Sequence, residues 1–531
     1  MVLHRMARSG IRLGTLAERA AARHPANVLV LDHDLDVAPH LGRRTTVAEV
    51  ADLVADLASR LAAAGVRPGD HVAVHKADGL DITLLAFAAA RAGAVPVLLS
   101  ARLDGATVLR LLRRAGRPFL VTDRHKLDRE LPQPVFDETE RVLVVRGSYP
   151  RATGLEALAG AERIAPVHTA PHRPALITHT SGTTGVPKLA VHTGITQEIR
   201  YLLQLSALAP VVPRRETIAI HASFVHSRMI SVLAIALLRG LPMLVLADEN
   251  PQRAADHFVR MRPGIIEAHP NTFMAWEPLA DDPRRPFANV KLFSSTFDAL
   301  HPRTVHRMLG ASGRRAPLFG QMYGQTETGP VVCRGFTRRR SHRADGRCVG
   351  FPFVGTTAVR VVGRDGRPPS ARTPGFIEVR SKGRFVTYLG EQERHDRQLS
   401  ADGWWRTGDV GYRTKWGCVH LLDREVDVID DFGSTLDAED RLLGGIADLT
   451  EVVIVRGADG LPVPVVCTHD DRPLDEAAWR AAAAALPPMA PPVHWREDDL
   501  PKTATMKIKR FELARILAER QSAAQGPRRT P

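Results

Sequence analysis

The chain has 531 residues, too many for one ordinary hydrophobic core, and its 44% apolar content is that of a globular protein of two or more domains. Its formal charge of +14 is carried almost wholly by arginine, since only nine of its 72 basic residues are lysine. The arginines are dispersed, the densest run is only Arg338 to Arg340, and aromatics make up 5%, so a solvated basic surface is expected and nucleic-acid binding is not.

In chain order, the N-terminus has no continuous apolar stretch, and no signal peptide is expected. Thr46 and Glu49 predict a capping box ahead of a helix whose apolar side carries Val50, Leu53, Val54, Leu57 and Leu61, with Gly65 as its stop. The strand "HVAVH", the helix "ITLLAFAAARAG" and the strand "VPVLL" follow, a βα alternation that recurs near residues 215–247 and 260–330. The longest apolar region, Met229 to Ala247, is interrupted by Arg239, Gly240 and Pro242 and reads as a buried helix running into a buried strand, with no membrane partner expected. From about residue 346 short strands with Gly-rich turns predict a β-rich subdomain. After Arg424 a stretch with its own strands and helices predicts a small α+β domain. The four cysteines, Cys333, Cys348, Cys418 and Cys467, show neither metal-ligand spacing nor a secreted framework, and a reducing cytoplasm is expected.

Four stretches carry chemistry. "THTSGTTGVPKLAVHT", Thr178 to Thr193, concentrates hydroxyls, glycines and Lys188. Glycine lets successive N–H groups converge on one oxyanion, hydroxyls add donors and lysine adds a point charge. It is not a Walker A loop, because Pro187 precedes the lysine and Leu189 follows it. The bland alternative is a flexible linker. "QMYGQTETGP" can present Tyr323, Thr326 and Glu327 to one ligand. "GWWRTGDVGY" puts Asp409 in a tight turn, where a carboxylate suits a vicinal diol. "LPKTATMKIKR" holds Lys507 in a loop just before a helix. Each alone could be an ordinary surface turn.

Together and in this order, "TSGTTGVPKL", "YGQTE", "GWWRTGD", "DREVD" and "LPKTATMKIKR" resemble the motifs of the adenylate-forming superfamily: acyl- and aryl-CoA synthetases, nonribosomal peptide synthetase adenylation domains and luciferases. The resemblance spans essentially the whole chain. It implies an α/β fold: a large N-terminal domain of layered α/β sheets plus a β-rich subdomain, with a small mobile α+β C-terminal domain. The expected boundaries are 1–422 for the core, 423–427 for a hinge, 428–522 for the small domain and 523–531 for a disordered tail. It implies Mg²⁺ and ATP as cofactors, adenylation of a carboxylate with loss of pyrophosphate, and then displacement of AMP. Thr180, Ser181, Gly182, Thr183, Thr184, Gly185 and Lys188 would embrace the phosphates. Tyr323 and Gly324 would meet adenine, Asp409 and Arg424 the ribose, Thr326 the α-phosphate, and Glu327 the metal. Lys507 would bridge the reacting carboxylate and phosphate.

Departures from the family pattern bear on the acceptor. Val426 replaces a polar hinge residue, Asp430 and Asp431 occupy the loop that would admit a pantetheine thiol, and Leu189 and Met506 replace glycines. Two inward-facing carboxylates would repel the phosphates of CoA, although aspartates more often face water. In the segment "HASFVHSRM", His221 to Met229, the aspartate of α-amino-acid-activating domains is missing, Ser223 is a pocket candidate, and His226 matches a histidine common in acyl- and aryl-CoA synthetases. With His269, Asn271, Ser294, Ser295 and Thr296 nearby, a short polar pocket is expected, though the substitutions could leave substrate size unchanged. The leading expectation is activation of a small or aromatic carboxylic acid with transfer to CoA or an acyl-carrier protein. The alternative is a non-thiol acceptor, amine or hydroxyl, or activation of an inorganic oxyacid such as nitrite. A non-catalytic nucleotide-binding homologue is disfavoured by the intact set of motif residues.

Overall fold

A computed structural model of the chain describes residues 10–180, 186–212, 215–296, 300–343, 345–364, 367–429, 432–457, 460–503 and 507–524. Ser181, Gly182, Thr183, Thr184, Gly185, Asp430, Asp431, Met506 and residues 525–531 lie outside the described residues. Three sheets organise the rest: one of 13 strands, one of eight and one of three.

The eight-stranded sheet has a parallel centre, Val95–Leu98, His71–Val74, Phe119–Thr122 and Arg141–Val144. Its inner strands Val95–Leu98 and Phe119–Thr122 are buried at every position, as expected for strands covered on both faces. The 13-stranded sheet has its own parallel centre, Ile218–His221, Ile265–Ala268, Leu292–Ser295 and Leu318–Gln325. The β-rich segment does not stand apart from it. Its antiparallel strands continue the same sheet outward through Gly329–Thr337 and Cys348–Pro352. Helix Val47–Ala63 begins with the expected capping box, in which Thr46 and Glu49 each satisfy the other's backbone N–H. Helix Ser227–Arg239 ends at Gly240 in the left-handed region, and strand Met243–Val245 follows. Among the described residues, no helix is long and apolar enough to cross a membrane.

Cys348 and Cys418, 70 residues apart, are joined as a disulfide, whereas Cys333 and Cys467 are free thiols. Sequence spacing could not show this pairing, because it arises from two neighbouring strands of the sheet.

Strands Leu449–Arg456, Pro462–Thr468 and Val493–His494 form the separate third sheet. One buried ion pair centres that unit. Arg510, at the start of helix Arg510–Ala524, donates from Nη1 and Nη2 to the two oxygens of Glu439 at 2.6 and 2.7 Å, and to the Ile454 carbonyl at 3.0 Å. Glu439 Oε1 also accepts from the Ile454 amide at 2.7 Å. Removing one partner strands a buried charge. Arg510→Met is therefore expected to destabilise this unit by about 3–5 kcal/mol. Amide hydrogen exchange across 449–468 is the measurement, and unchanged protection there would refute the role.

Candidate active site

The motif residues gather where the parallel strands of the large sheet end. Strand Leu318–Gln325 runs out into the turn of Thr326 and Glu327, and Gly329–Thr337 returns antiparallel to it. The ladder is irregular between Tyr323 and Gly324, and a Cβ at position 324 would collide with the Gly329 carbonyl. The turn is held from below by Arg200, fully buried on helix Gly194–Leu208. Its guanidinium donates to the carbonyls of Thr326 (2.8 Å), Glu327 (3.3 Å) and Gly383 (2.9 Å), and to Ser227 Oγ (3.1 Å). Burial pulls its pKa down to about 9, against the pull of the Glu327 charge.

Lys188 follows the phosphate loop and lies against this turn. Its Nζ donates to Tyr388 Oη at 3.1 Å, stands 4.5 Å above the Tyr388 ring centre and is 3.6 Å from Glu327 Oε1. Tyr388 Oη donates to the same Glu327 oxygen. Burial is the largest influence on Lys188 and lowers its pKa. At the other mouth of the loop, the Thr180 amide donates to the Lys188 carbonyl (2.9 Å) and Thr180 Oγ1 accepts from the Lys188 amide (3.1 Å). His179 anchors it in turn: its Nε2 accepts from the Ser100 amide at 3.1 Å, so its Nδ1–H donates to the Thr180 carbonyl at 2.8 Å. Lys188 and Tyr388 both meet Glu327 at Oε1, and the carboxylate is a hard oxygen donor of the kind that could hold a magnesium ion.

Asp409 is buried beside Tyr323 and Gln325. Its Oδ2 accepts from Tyr323 Oη at 2.6 Å and from Gln325 Nε2 at 3.1 Å, and Gln325 also donates to the Thr407 carbonyl at 2.7 Å. Burial, then the Asp409 charge, raises the Tyr323 phenol well above its ordinary value, so it stays a donor. Arg424 is the cross-strand partner of Asp409, with Nε 3.8 Å from Oδ1. A carboxylate fixed by two donors beside an aromatic ring and a guanidinium is a fitting receptor for a ribose diol.

The predicted pocket residues converge with differing roles. His226 caps helix Ser227–Arg239: its Nδ1 accepts from the Arg228 amide at 3.1 Å, which leaves Nε2–H directed at Thr326 Oγ1, 3.5 Å away. His269 Nε2 accepts from the Ser223 amide at 3.0 Å. Burial first, then neighbouring cations including Lys507, pulls His226 to about 3 and His269 well below its usual range. The Lys507 charge acts on both imidazoles, and its backbone bonds to Thr503, the Lys507 amide donating to Thr503 Oγ1 at 3.1 Å and the Lys507 carbonyl accepting from the Thr503 amide at 2.7 Å. Asn271 sits on helix Pro270–Ala275 at the end of the same strand. Ser295 is tied to the sheet, with Oγ donating to the Ala268 carbonyl at 3.1 Å, and Thr296 Oγ1 is buried without a hydrogen-bond partner among the described residues.

Ser294 leads to a feature that the motifs do not contain. It is the cross-strand partner of Glu267 on one side and Gly320 on the other, so all three share one face of the sheet. Arg228 crosses above them and pairs bidentately with Glu267, Nε to Oε1 at 2.7 Å and Nη2 to Oε2 at 2.5 Å, and reaches Ser294 Oγ at 3.2 Å. Both partners are buried, 7% and 3% exposed. Beneath lies a cavity of about 200 Å³. Its walls are Ile265, Leu292 and Leu318, each two residues before one of that row, and Val232 and Ile235 of the helix.

Two outcomes follow from this geometry. Asp409→Ala removes a contact made equally in ground and transition states, so the Michaelis constant for ATP rises while bound-state turnover changes little; an unchanged constant in an ATP titration would remove Asp409 from the ribose site. Arg200→Met frees the Thr326–Glu327 turn, and a displacement of about 1 Å costs about 100-fold in turnover. Arg200→Lys is not expected to rescue it, since one ammonium cannot span three carbonyls and a hydroxyl. Rescue by lysine in steady-state rates would refute the positioning role.

Residues 17–389 match the model of the family described as AMP-binding enzyme. The chain is 45% identical over 549 aligned positions to 3-amino-2-hydroxy-4-methoxybenzoate diazotase of Streptomyces cremeus, covering 99% of each chain. It is 26% identical to 3-aminoavenalumate diazotase of a Streptomyces species, covering 90% of each. Its fold matches the crystal structure of the anthranilate CoA ligase AuaEII in complex with anthranoyl-AMP, with a TM-score of 0.81 and 18% identity over 97% of this chain and 98% of that one. The chain belongs to the AMP-binding enzyme family, within the adenylate-forming superfamily that its motifs resemble.

Proposed function

We propose that the protein is an ATP-dependent diazotase, which adenylates nitrite and passes the nitrosyl group to the amine of a small aromatic acid. The observation that carries this reading is the whole-length likeness, at 45% identity, to a diazotase of an aminohydroxybenzoate. The site supports it. Nitrite needs only the small polar space at His226, Thr326 and Lys507. The cavity of about 200 Å³ behind Arg228 is below the range of about 300–1,000 Å³ for drug-sized ligands and suits a single substituted ring. The Arg228–Glu267 pair, whose charges satisfy each other, lines that cavity and gives it a polar edge.

In this reading a nitrite oxygen bonds to the α-phosphorus of ATP, the bond to the β-phosphate oxygen breaks and pyrophosphate leaves. The amine lone pair then attacks the nitrosyl nitrogen and the N–O bond to AMP breaks. The protonated N-nitrosamine so formed passes its two N–H protons to the nitroso oxygen by way of the diazohydroxide, and that oxygen leaves as water to give the diazonium ion. No oxidant is needed, because nitrite nitrogen already has the required oxidation level. Magnesium, held by Glu327, would neutralise phosphate charge. Lys507 and Lys188 place ammonium groups against the developing negative charge, Thr326 supplies a hydroxyl, and His226, held neutral, directs Nε2–H at it. The unit after Asp423 is proposed to be mobile, with 423–427 as its hinge. Transfer to a thiol, the first expectation from the motifs, gains no support from the two diazotases, and Asp430 and Asp431 weigh against CoA.

Pyrophosphate release tests this reading, with nitrite or a panel of aromatic acids, with and without CoA and an aminobenzoate. Nitrite-dependent release with diazonium formation is expected; release on aromatic acids alone, with a CoA thioester as product, would overturn it. Lys507→Ala is expected to slow nitrite adenylation by about 3–5 kcal/mol, hundreds- to thousands-fold, whereas Lys502→Ala and Lys509→Ala change it little. Equal effects of all three would show that the lysines only decorate a basic turn.

A further inference from the structure

Cys348, Cys418 and His420 play no part in the adenylation site. Strand Val419–Arg424 runs antiparallel to Cys348–Pro352, with His420 opposite Cys348. Cys418 lies two residues before His420 along the strand, the spacing that returns side chains to one face. One ligand atom from each of the three residues lies within 4.8 Å of the other two.

The imidazole is already positioned as a metal ligand requires. His420 Nε2 is 3.0 Å from Asp345 Oδ2, which assigns the ring proton to Nε2 and leaves the lone pair on Nδ1. Tyr412 stacks on the ring at 4.6 Å and 12°. His420 Nδ1 is buried and has no hydrogen-bond partner among the described residues, a costly state for a polar atom. The disulfide leaves that nitrogen without a partner, whereas a cation would give it one. A carboxylate behind a ligating histidine is the usual supporting arrangement of metal sites. Charge also balances: two thiolates and Asp345 carry three negative charges, against a dication and Arg334, which donates to the carbonyls of Asp345 and Cys348 at 2.8 and 2.7 Å.

We propose that, in its dithiol form, the Cys348–Cys418 pair together with His420 binds one divalent cation of the zinc class. A cellular dithiol supplies two electrons and two protons to open the disulfide and is itself oxidised to a disulfide. Binding then releases the two thiol protons, and the cation takes two thiolates and one neutral imidazole, a soft and borderline donor set that favours zinc over magnesium. Water completes the tetrahedron. The site is structural. It clips together the strands that lead to Asp423 and Arg424, and Arg347 Nη2 reaches Asp440 of helix Thr435–Gly445 at 2.8 Å.

The test uses the full chain, reduced with a phosphine, exposed to Zn²⁺ or Co²⁺ and freed of excess metal. About one zinc per chain is expected by elemental mass spectrometry, with a thiolate-to-cobalt charge-transfer band in the Co²⁺ form. Cys348→Ser, Cys418→Ser and His420→Ala abolish uptake, Cys333→Ser retains it, and Asp345→Asn weakens Co²⁺ binding about 10- to 100-fold. If a variant fails to fold by circular dichroism, the cobalt spectrum of reduced wild type decides alone. Absence of uptake by folded, reduced wild type would overturn the proposal, as would uptake that survives loss of all three ligands.

Discussion

One guanidinium joins the pieces of this site. Arg200 leaves its helix and, within about one side-chain length, reaches the turn that carries Thr326 and Glu327, the N-terminus of the helix after His226, and the Gly383 carbonyl a few residues before Tyr388. These segments come from both large sheets, so the relative placement of Lys188, Glu327 and His226 depends on it. A fully buried charge is tolerable because each nitrogen finds a carbonyl or hydroxyl, and because Glu327 stands nearby as a counter-charge. The collision that any Cβ at Gly329 would make with the Arg200 side chain shows how closely the backbone is drawn onto it.

Above that anchor the site is electrically one-sided. Lys188, Arg228 and Lys507 bring positive charge, while burial first, and then nearby charges that include Lys507, lower the pKa values of His226 and His269. Neutral imidazoles keep their lone pairs and single protons for directed hydrogen bonds, and they do not add to a field that already favours anions. The negative groups are engaged: Asp409 by Tyr323 and Gln325, Glu267 by Arg228, and Glu327 by Tyr388 and Lys188. Such an arrangement suits a polyphosphate meeting a second small anion, whose mutual repulsion the site must offset.

The parts of this site that sequence made legible are those whose chemistry is local. Thr46 and Glu49 announce a helix start within four residues, and Gly240 with Pro242 divides a buried helix from a buried strand. The loop at Lys188, the turn at Thr326 and Glu327 and the carboxylate at Asp409 are each a short run with its own logic. Arg200, Tyr388 and the Arg228–Glu267 pair are different. Their partners lie 27 to 200 residues away, and only the tertiary fold brings them together. Arg228 stood inside a stretch already marked for His226, but nothing within that stretch points to Glu267. Arg200 carried one faint sign, a charged residue midway along a helix flanked by Tyr201, Leu202 and Leu203. The spacing of Cys348 and Cys418 likewise held no signal, because an antiparallel ladder, and not a short motif, makes them neighbours.

The large sheet is interleaved along the chain, and this sets an order of events during synthesis. Val28–Leu31 forms part of its far edge, yet its parallel neighbour is Met243–Val245, and the whole parallel core of the other sheet is made in between. The N-terminal strand pair, complete at Thr46, must therefore wait, with an apolar edge unpaired, until the strand Met243–Val245 has emerged, roughly two hundred residues later. At roughly 5–20 residues per second that interval is about ten to forty seconds. During it the nascent chain exposes a surface prone to mispairing, which makes the early segment a natural client for chaperones and places the slowest folding step at closure of the large sheet.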